Sequence, residues 1–235
     1  MSGQQTIRQA LRHAADPAKA RILSSFFKTG KGQYAEGDRF LGVTVPVQRA
    51  IARRFCTATP ACLHSLLLST IHEERLTALL ILVQQFAAAG PADRRTLFDF
   101  YVAHRCSVNN WDLVDLTADK IVGPAAEDRG SALLVHMAKS PHLWTRRSAI
   151  VATFHFIKQG KPGPTLKIAR LLLHDRHDLI QKATGWMLRE VGKRCSSHIL
   201  ESFLDAHCRS MPRTMLRYAI ERLPERSRCS YLRRK

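Results

Sequence analysis

The sequence predicts an all-α fold, and more narrowly an α-solenoid, from three observations. Apolar residues recur at helical spacing along most of the chain, no Asn-Gly or Asp-Gly turn separates alternating strands, and a weak repeat recurs at multiples of about 35 residues. The helical pattern is clearest after His72, where Leu76, Leu79 and Val83 share a face. Gly90 and the proline that follows it end this run.

The same spacing predicts helices along the rest of the chain, with Gly, Pro and capping residues at their ends. They cover approximately 4–15, 17–28, 46–57, 60–69, 91–104, 110–122, 130–139, 143–158, 164–174, 177–194, 197–208 and 212–223. The one long loop runs from Gly30 to Asp38, and it is not a phosphate-binding loop because no strand precedes it. We expect residues 1–235 to form one domain, with the tail from about 226 to 235 a candidate for disorder.

The repeat is seen in short segments that begin at Arg75, Arg146 and Gln181, at offsets of 71 and 35 residues. The segment at Arg217 matches the one at Arg147, at an offset of 70 residues. Helix pairs with a period in this range are typical of solenoids, in which each unit buries its apolar face on its neighbours. A plain helical domain with chance similarity is the alternative.

The charge balance predicts a polyanionic partner. Lys and Arg number 37 against 19 Asp and Glu, a net charge of +18, and the isoelectric point is about 10.4. Nucleic acid is the first candidate partner and an anionic membrane the second. In a solenoid, the repeat positions form a stripe on the concave face that would follow a phosphate backbone. These positions are Arg75, Trp111, Arg146 or Arg147, Lys182 and Arg217. A solvated basic surface without a ligand is the alternative.

Several classes of protein are excluded by missing features. No apolar run is long enough to span a membrane, and the N-terminus has no secretory signal, so we expect a cytoplasmic protein, in the bacterial cytoplasm or nucleoid. The six cysteines form no Cys-x-x-Cys pair, and a zinc site built from Cys195, His198, His207 and Cys208 would fit no familiar finger. No cofactor and no metal are therefore expected.

Candidate chemistry centres on the tryptophans. Trp111 and Asp115 lie four residues apart, so a helix places them on one face. Asp112 lies in the first turn of that helix, where an acid often serves only the helix dipole. Tryptophans on helices are more often core than site, but a carboxylate beside aromatic faces on a basic groove could stabilise a cationic sugar.

Four stretches of the sequence resemble the AlkD-like DNA alkylation repair family, DNA glycosylases built of HEAT-like helical repeats. They are Phe40–Arg49, Asn110–Asp115, Leu143–Ile150 and Gln181–Glu190, in the family's order and over most of the chain. The resemblance implies an all-α superhelix whose basic concave face grips duplex DNA. It also implies hydrolytic removal of cationic purines alkylated at N3 or N7.

The resemblance assigns the catalytic carboxylate to Asp115 and the two cleft-lining tryptophans to Trp111 and Trp186, with Trp144 as packing. Phe26 stands where the family prototype has a tyrosine, so the ring remains and the hydroxyl is lost. The loop from Gly30 to Asp38 is also longer than in that prototype. The residues expected to contact DNA are Arg147, Arg146, Arg189, Lys182 and Phe26.

Two functions of different classes follow. The first is a monofunctional DNA glycosylase, because Lys120, Lys139 and Lys182 show no feature of a lyase nucleophile. On this scaffold we expect a monomer. The second is a non-catalytic module on the same scaffold that binds duplex or branched DNA. A helical repeat that binds protein is a third and weaker alternative.

Overall fold

The computed structural model of the chain describes residues 6–130 and 132–234. Within these ranges the secondary structure is helical and no strand is formed, although Arg39 and Ile71 make one isolated bridge. The all-α class predicted from the sequence is therefore confirmed. The chain divides into two compact units, 1–117 and 118–235.

The first unit is built around a long, almost entirely buried helix. Its helices are α1 (Ile7–His13), α2 (Pro17–Phe26), α3 (Val45–Arg54), α4 (Pro60–Leu67), α5 (His72–Ala88), α6 (Pro91–Ala103) and α7 (Trp111–Asp115), with a 3-10 turn at Arg105–Ser107. Helix α5 packs against α1, α3, α4 and α6. It buries acidic and basic side chains as well as leucines, so the unit needs internal ion pairs.

Local sequence explains where these helices begin. Thr6 and Gln9 form a capping box at the start of α1, and Asp16 caps α2 through the backbone N–H groups of Ala18 and Lys19. Proline stands in the first turn of α2, α3, α4 and α6, where its missing N–H costs no helical hydrogen bond.

The second unit is centred on α13, which packs against α10, α11, α12, α14 and α15. Its helices are α8 (Ala118–Arg129), α9 (Ala132–Ala138), α10 (Leu143–Ala152), α11 (Phe154–Lys158), α12 (Gly163–Leu171), α13 (Asp178–Arg194), α14 (Ser197–His207), α15 (Arg213–Ile220) and α16 (Glu225–Arg233). Gly185 lets α13 and α15 approach closely, because a Cβ there would lie 2.4 Å from the carbonyl oxygen of Met215.

A shared hydrogen-bond motif confirms the register of the sequence repeat at three positions. In each copy a side-chain oxygen accepts the backbone N–H two residues later, which fixes the start of the following helix. A long polar side chain six residues later donates to the carbonyl oxygen of the first residue, at 2.8 to 3.1 Å. The pairs are Ser69 with Arg75, Ser140 with Arg146, and Asp175 with Gln181.

Two predicted helices are interrupted, and a buried threonine stands at each break. The helix predicted over 110–122 ends at Asp115, where Thr117 donates its hydroxyl to the carbonyl oxygen of Leu113 at 2.6 Å. The helix predicted over 143–158 ends at Ala152, where Thr153 donates to the carbonyl of Ile150 at 2.6 Å. Hydroxyls that bond to carbonyls of the preceding turn bend or end helices. Apolar spacing alone does not reveal this.

The C-terminal segment differs from the expectation of disorder, because residues 225–233 form α16. Tyr231 is buried there and donates its hydroxyl to Asp205 at 3.1 Å, which ties the helix to α14. Among the described residues, no helix has the length and apolar character needed to cross a membrane. Within the same residues, no cluster of three or more His, Cys, Asp or Glu side chains is arranged to hold a metal ion.

Candidate active site

Trp111 begins α7, and its ring packs on the end of α2. Asn110 caps the helix by accepting the Trp111 backbone N–H at 2.8 Å. The indole stacks on the buried ring of Phe27, with ring centroids 5.1 Å apart and planes 18° apart. Phe26 meets the same indole edge-on at 5.9 Å. The structure therefore brings together Phe26 and Trp111, two of the predicted site residues.

Phe26 is exposed over 61% of its surface, which is unusual for a large apolar ring. It lies beside a cavity of about 310 Å³ whose walls include Phe27, Phe40, His72 and Asp112. An exposed apolar side chain next to an aromatic-walled cavity is typical of a binding surface.

Tyr34 is a contact of Trp111 that was not expected from the sequence. Its phenolic oxygen accepts a hydrogen bond from the indole Nε1 at 3.2 Å. The residue lies in the long loop between Gly30 and Asp38. The length of that loop was the one sequence feature that could have drawn attention to Tyr34.

The two acids of α7 have different surroundings. Asp112 is buried: its Oδ1 accepts the Leu113 backbone N–H at 2.8 Å, and its Oδ2 lies 2.7 Å from the Nε2 of His72. Asp115 ends the same helix and is half-buried. Because it follows Trp111 by four residues, the helix puts both side chains on one face. Asp112 thus holds the start of the helix. The catalytic role of Asp115 stays a prediction.

A buried ionic chain lies beneath the start of α7. His72 sits between the carboxylates of Asp112 and Asp38, and Arg75 donates to both oxygens of Asp38 at 2.7 Å. Burial alone lowers the pKa of His72, but the hydrogen bonds to Asp112 and Asp38 outweigh it and raise the pKa to about 9. Burial likewise opposes ionisation of Asp38, yet His72 and Arg75 hold its pKa below the ordinary value.

Glu73 fixes the loop that leads into α3. Its carboxylate accepts the backbone N–H groups of Leu41, Gly42 and Val43 at 2.8 to 3.3 Å. Gly42 has a φ of +84°, and a Cβ on it would lie 2.1 Å from the Asp16 carbonyl oxygen. Leu41, Gly42 and Val43 lie in one of the stretches that carry the family resemblance. In this structure their backbone N–H groups fix the loop before α3.

Trp186 lies in the second unit and is half-buried on α13. Its ring lies 6.3 Å from that of Phe154, at a tilt of 37°. Phe154 is in turn flanked by two cations, the ammonium of Lys158 at 5.2 Å and the guanidinium of Arg194 at 5.1 Å. Phe154 was not expected from the sequence.

Arginines at the repeat positions are more buried than the sequence suggests. Arg75 is 3% exposed and is held by Asp38, so the expectation that it lines an open basic stripe is wrong. Arg147 is 5% exposed and donates its Nη1 to the carbonyl of Leu179 at 2.5 Å. A phosphate contact by Arg147 stays a prediction.

The other basic residues predicted to contact DNA also have acidic partners. Each pairs with a carboxylate in the second unit: Arg146 with Asp175 at 2.7 Å, Lys182 with Asp178 at 2.9 Å, and Arg189 with Glu221. The Lys182–Asp178 pair is exposed, where such pairs are weak, whereas the Arg146–Asp175 pair is mostly buried. Phosphate contacts by these three residues stay predictions.

A family model described as DNA alkylation repair enzyme matches residues 7–223. The chain belongs to this family. The resemblance drawn from the four sequence stretches is therefore confirmed, and so is the coarse assignment of the protein to alkylation repair.

One solved structure similar to this member of the family is described as a predicted DNA alkylation repair enzyme from Enterococcus faecalis. It superposes with a TM-score of 0.68 at 17% sequence identity, over 90% of this chain and 97% of the other. At that identity the likeness establishes the fold alone. No protein of curated function gives a significant match.

Proposed function

We propose that the protein is a monofunctional DNA glycosylase that removes cationic N3- and N7-alkylated purines from duplex DNA. The observation that carries the proposal is the placement of Asp115 and Trp111 on one face of α7. The Trp111 ring is fixed against Phe27, and the other acid of the helix, Asp112, is buried against His72. A positioned carboxylate beside an aromatic face suits a reaction that develops positive charge.

The positive charge of the substrate reduces the catalysis that the protein must supply. A purine alkylated at N3 or N7 already carries positive charge, so its bond to C1′ breaks with the electron pair leaving on the base and no acid is needed. The sugar then becomes oxocarbenium-like, and Asp115 stabilises it electrostatically. A water oriented by the Asp115 carboxylate adds to C1′ and passes one proton to the surrounding water, which leaves the hydroxyl of the abasic sugar. Trp111 and Trp186 contribute aromatic faces that attract cationic character.

DNA binding is assigned to the basic surface and to Phe26. We propose that the helical repeats form an α-solenoid of the HEAT-like kind whose basic concave face follows the phosphate backbone. The repeated helix-start motif supports this arrangement. The proposed DNA contacts are Arg146, Arg147, Lys182, Arg189 and Phe26. No cofactor is invoked, and the chain is proposed to act as one domain and as a monomer in the cytoplasm.

The test is base release from duplex DNA that carries N7-methylguanine, compared with the unmodified duplex. Wild-type protein is expected to release the methylated base and to leave an abasic site without strand cleavage. DNA affinity is measured in parallel at two salt concentrations, because phosphate contacts make affinity fall steeply with salt. Binding without release from N7-methylguanine, N3-methyladenine or bulkier adducts would favour the non-catalytic module instead.

A further inference from the structure

The loop that carries Tyr34 is a folded segment. It runs from Gly30 to Asp38, is preceded by Lys28 with a φ of +55°, and closes on itself through several hydrogen bonds. Gly30 and Gly32 donate backbone N–H groups to the side chains of Gln33 and Glu36, at 3.0 and 2.8 Å. Ala35, next to Tyr34, is 1% exposed. The position of Tyr34 is therefore set by the loop and is not that of an unconstrained side chain.

Two attachments join this loop to the first residues of α7. Near its middle, Tyr34 accepts the indole N–H of Trp111. At its end, Asp38 binds Arg75 and His72, and His72 binds Asp112. The loop thus contacts Trp111 directly and reaches its neighbour Asp112 through one buried side chain.

Stacking and hydrogen bonding constrain different motions of the indole. The face of Phe27 fixes the plane of the Trp111 ring, but a stacked ring can still slide and turn within that plane. A hydrogen bond on Nε1 removes this freedom because it fixes one edge of the ring. Phe26, the other close ring, offers no oxygen that could do so.

We infer that Tyr34 is a positioning residue for Trp111, and that its hydroxyl sets the in-plane orientation of the indole used in base excision. This inference rests on the proposed function. It assigns a catalytic consequence to a loop residue that touches neither the substrate nor the reacting atoms in the proposed mechanism.

The first test observes the contact without any assay of activity. In the 15N-labelled protein each of the three tryptophans gives one indole N–H signal, and the signal lost in Trp111→Phe identifies Trp111. Tyr34→Phe removes only the hydroxyl. We expect it to shift the Trp111 signal and to speed its hydrogen exchange about tenfold, with the Trp144 and Trp186 signals in place. An unchanged Trp111 signal overturns the inference.

The second test measures the consequence for excision under single-turnover conditions. Tyr34→Phe is expected to slow base release about five- to twentyfold and to change DNA affinity less than twofold. The reason is that the Tyr34 hydroxyl orients the Trp111 indole and does not contact the DNA backbone. In a Trp111→Phe background the same change is expected to have no further effect. Equal losses in both backgrounds overturn the inference.

Tyr231→Phe is the matched control, since it also removes one hydrogen-bonded phenol hydroxyl, the one donated to Asp205. It is expected to leave both readouts unchanged. If wild-type protein releases no base from any alkylated duplex, the proposed function fails and the catalytic role of Tyr34 fails with it. The indole signal still decides whether the contact exists, so the two failures are distinguishable.

Discussion

The two proposed cleft tryptophans sit in contrasting surroundings. Trp111 is held on its face by Phe27 and on its edge by Tyr34, above a buried chain that includes Asp38 and Asp112. Trp186 has Phe154 as its ring neighbour, and that ring is flanked by cations. One tryptophan is held by a phenylalanine face and a phenol hydroxyl, and the other lies beside a phenylalanine that two cations flank.

The net charge also differs between the two units. Residues 118–235 contain 23 Lys and Arg against 10 Asp and Glu, a net charge of +13, whereas residues 1–117 contain 14 against 9, a net charge of +5. In the proposed function, the first unit supplies the carboxylate Asp115 and the second supplies most of the attraction for phosphate.

The largest expected effect on stability is at Glu73. Glu73→Ala removes the acceptor of three backbone N–H groups in a buried place, so those donors are left without a partner. We expect the free energy of unfolding to fall by about 3 kcal/mol or more. Urea unfolding measures this loss, and a loss below about 1 kcal/mol would show that the loop finds other partners.

The equivalent test in the second unit is Gly185→Ala, beside Trp186. The new Cβ would lie 2.4 Å from the Met215 carbonyl oxygen, so α13 and α15 must separate. A cost of about 1–3 kcal/mol is expected, measured as a lower melting temperature. Gly90→Ala is the control, because a Cβ there meets nothing within 4 Å. Equal effects at both glycines would contradict the close approach.

A pH titration probes the ionic chain beneath Trp111. The pKa of His72 is raised from 6.5 to about 9, so the stability it contributes is fully present below pH 6.5 and is lost as pH rises through 9. The groups that face it are Asp38, Asp112 and Arg75. We expect the free energy of unfolding to fall by about 2 kcal/mol between pH 7 and pH 10. His72→Gln should remove most of this fall, and a parallel fall in that variant would refute the assignment.

The smallest expected effect is at Arg147 in the basic unit. Arg147→Ala is expected to weaken binding about three- to tenfold for every duplex sequence, and to reduce the salt dependence by about one phosphate contact. Arg49→Ala, an exposed arginine of α3, is the control and should change affinity less. A loss confined to one sequence context would contradict a backbone contact.

Sequence patterns predicted the structural features that depend on the spacing of nearby residues. Helical periodicity identified most of the helices, and the four-residue step from Trp111 to Asp115 placed both on one helix. The repeat at Arg75, Arg146 and Gln181 is confirmed by the hydrogen bonds that those side chains make.

Features that depend on distant partners were not predicted. Arg75 is buried because Asp38, 37 residues earlier, neutralises it, and the partner of Asp112 is His72, 40 residues earlier. Tyr34 reaches Trp111 across 77 residues. No spacing rule relates residues so far apart. Loop length was a signal at Tyr34, but it identified no particular contact.

The most direct test of the roles proposed for the two acids of α7, catalytic for Asp115 and structural for Asp112, compares two variants. Asp115→Asn and Asp112→Asn are measured in base release, DNA binding and thermal melting. Asp115→Asn is expected to slow release from an N7-methylguanine duplex at least about 100-fold. Its DNA affinity should change less than about twofold and its melting temperature by less than about 2 °C. Asp112→Asn should lower the melting temperature further, because it weakens the bond to His72, and should keep most of the excision per folded molecule. Rapid release by Asp115→Asn, or loss of its fold, would contradict the assignment of the catalytic carboxylate.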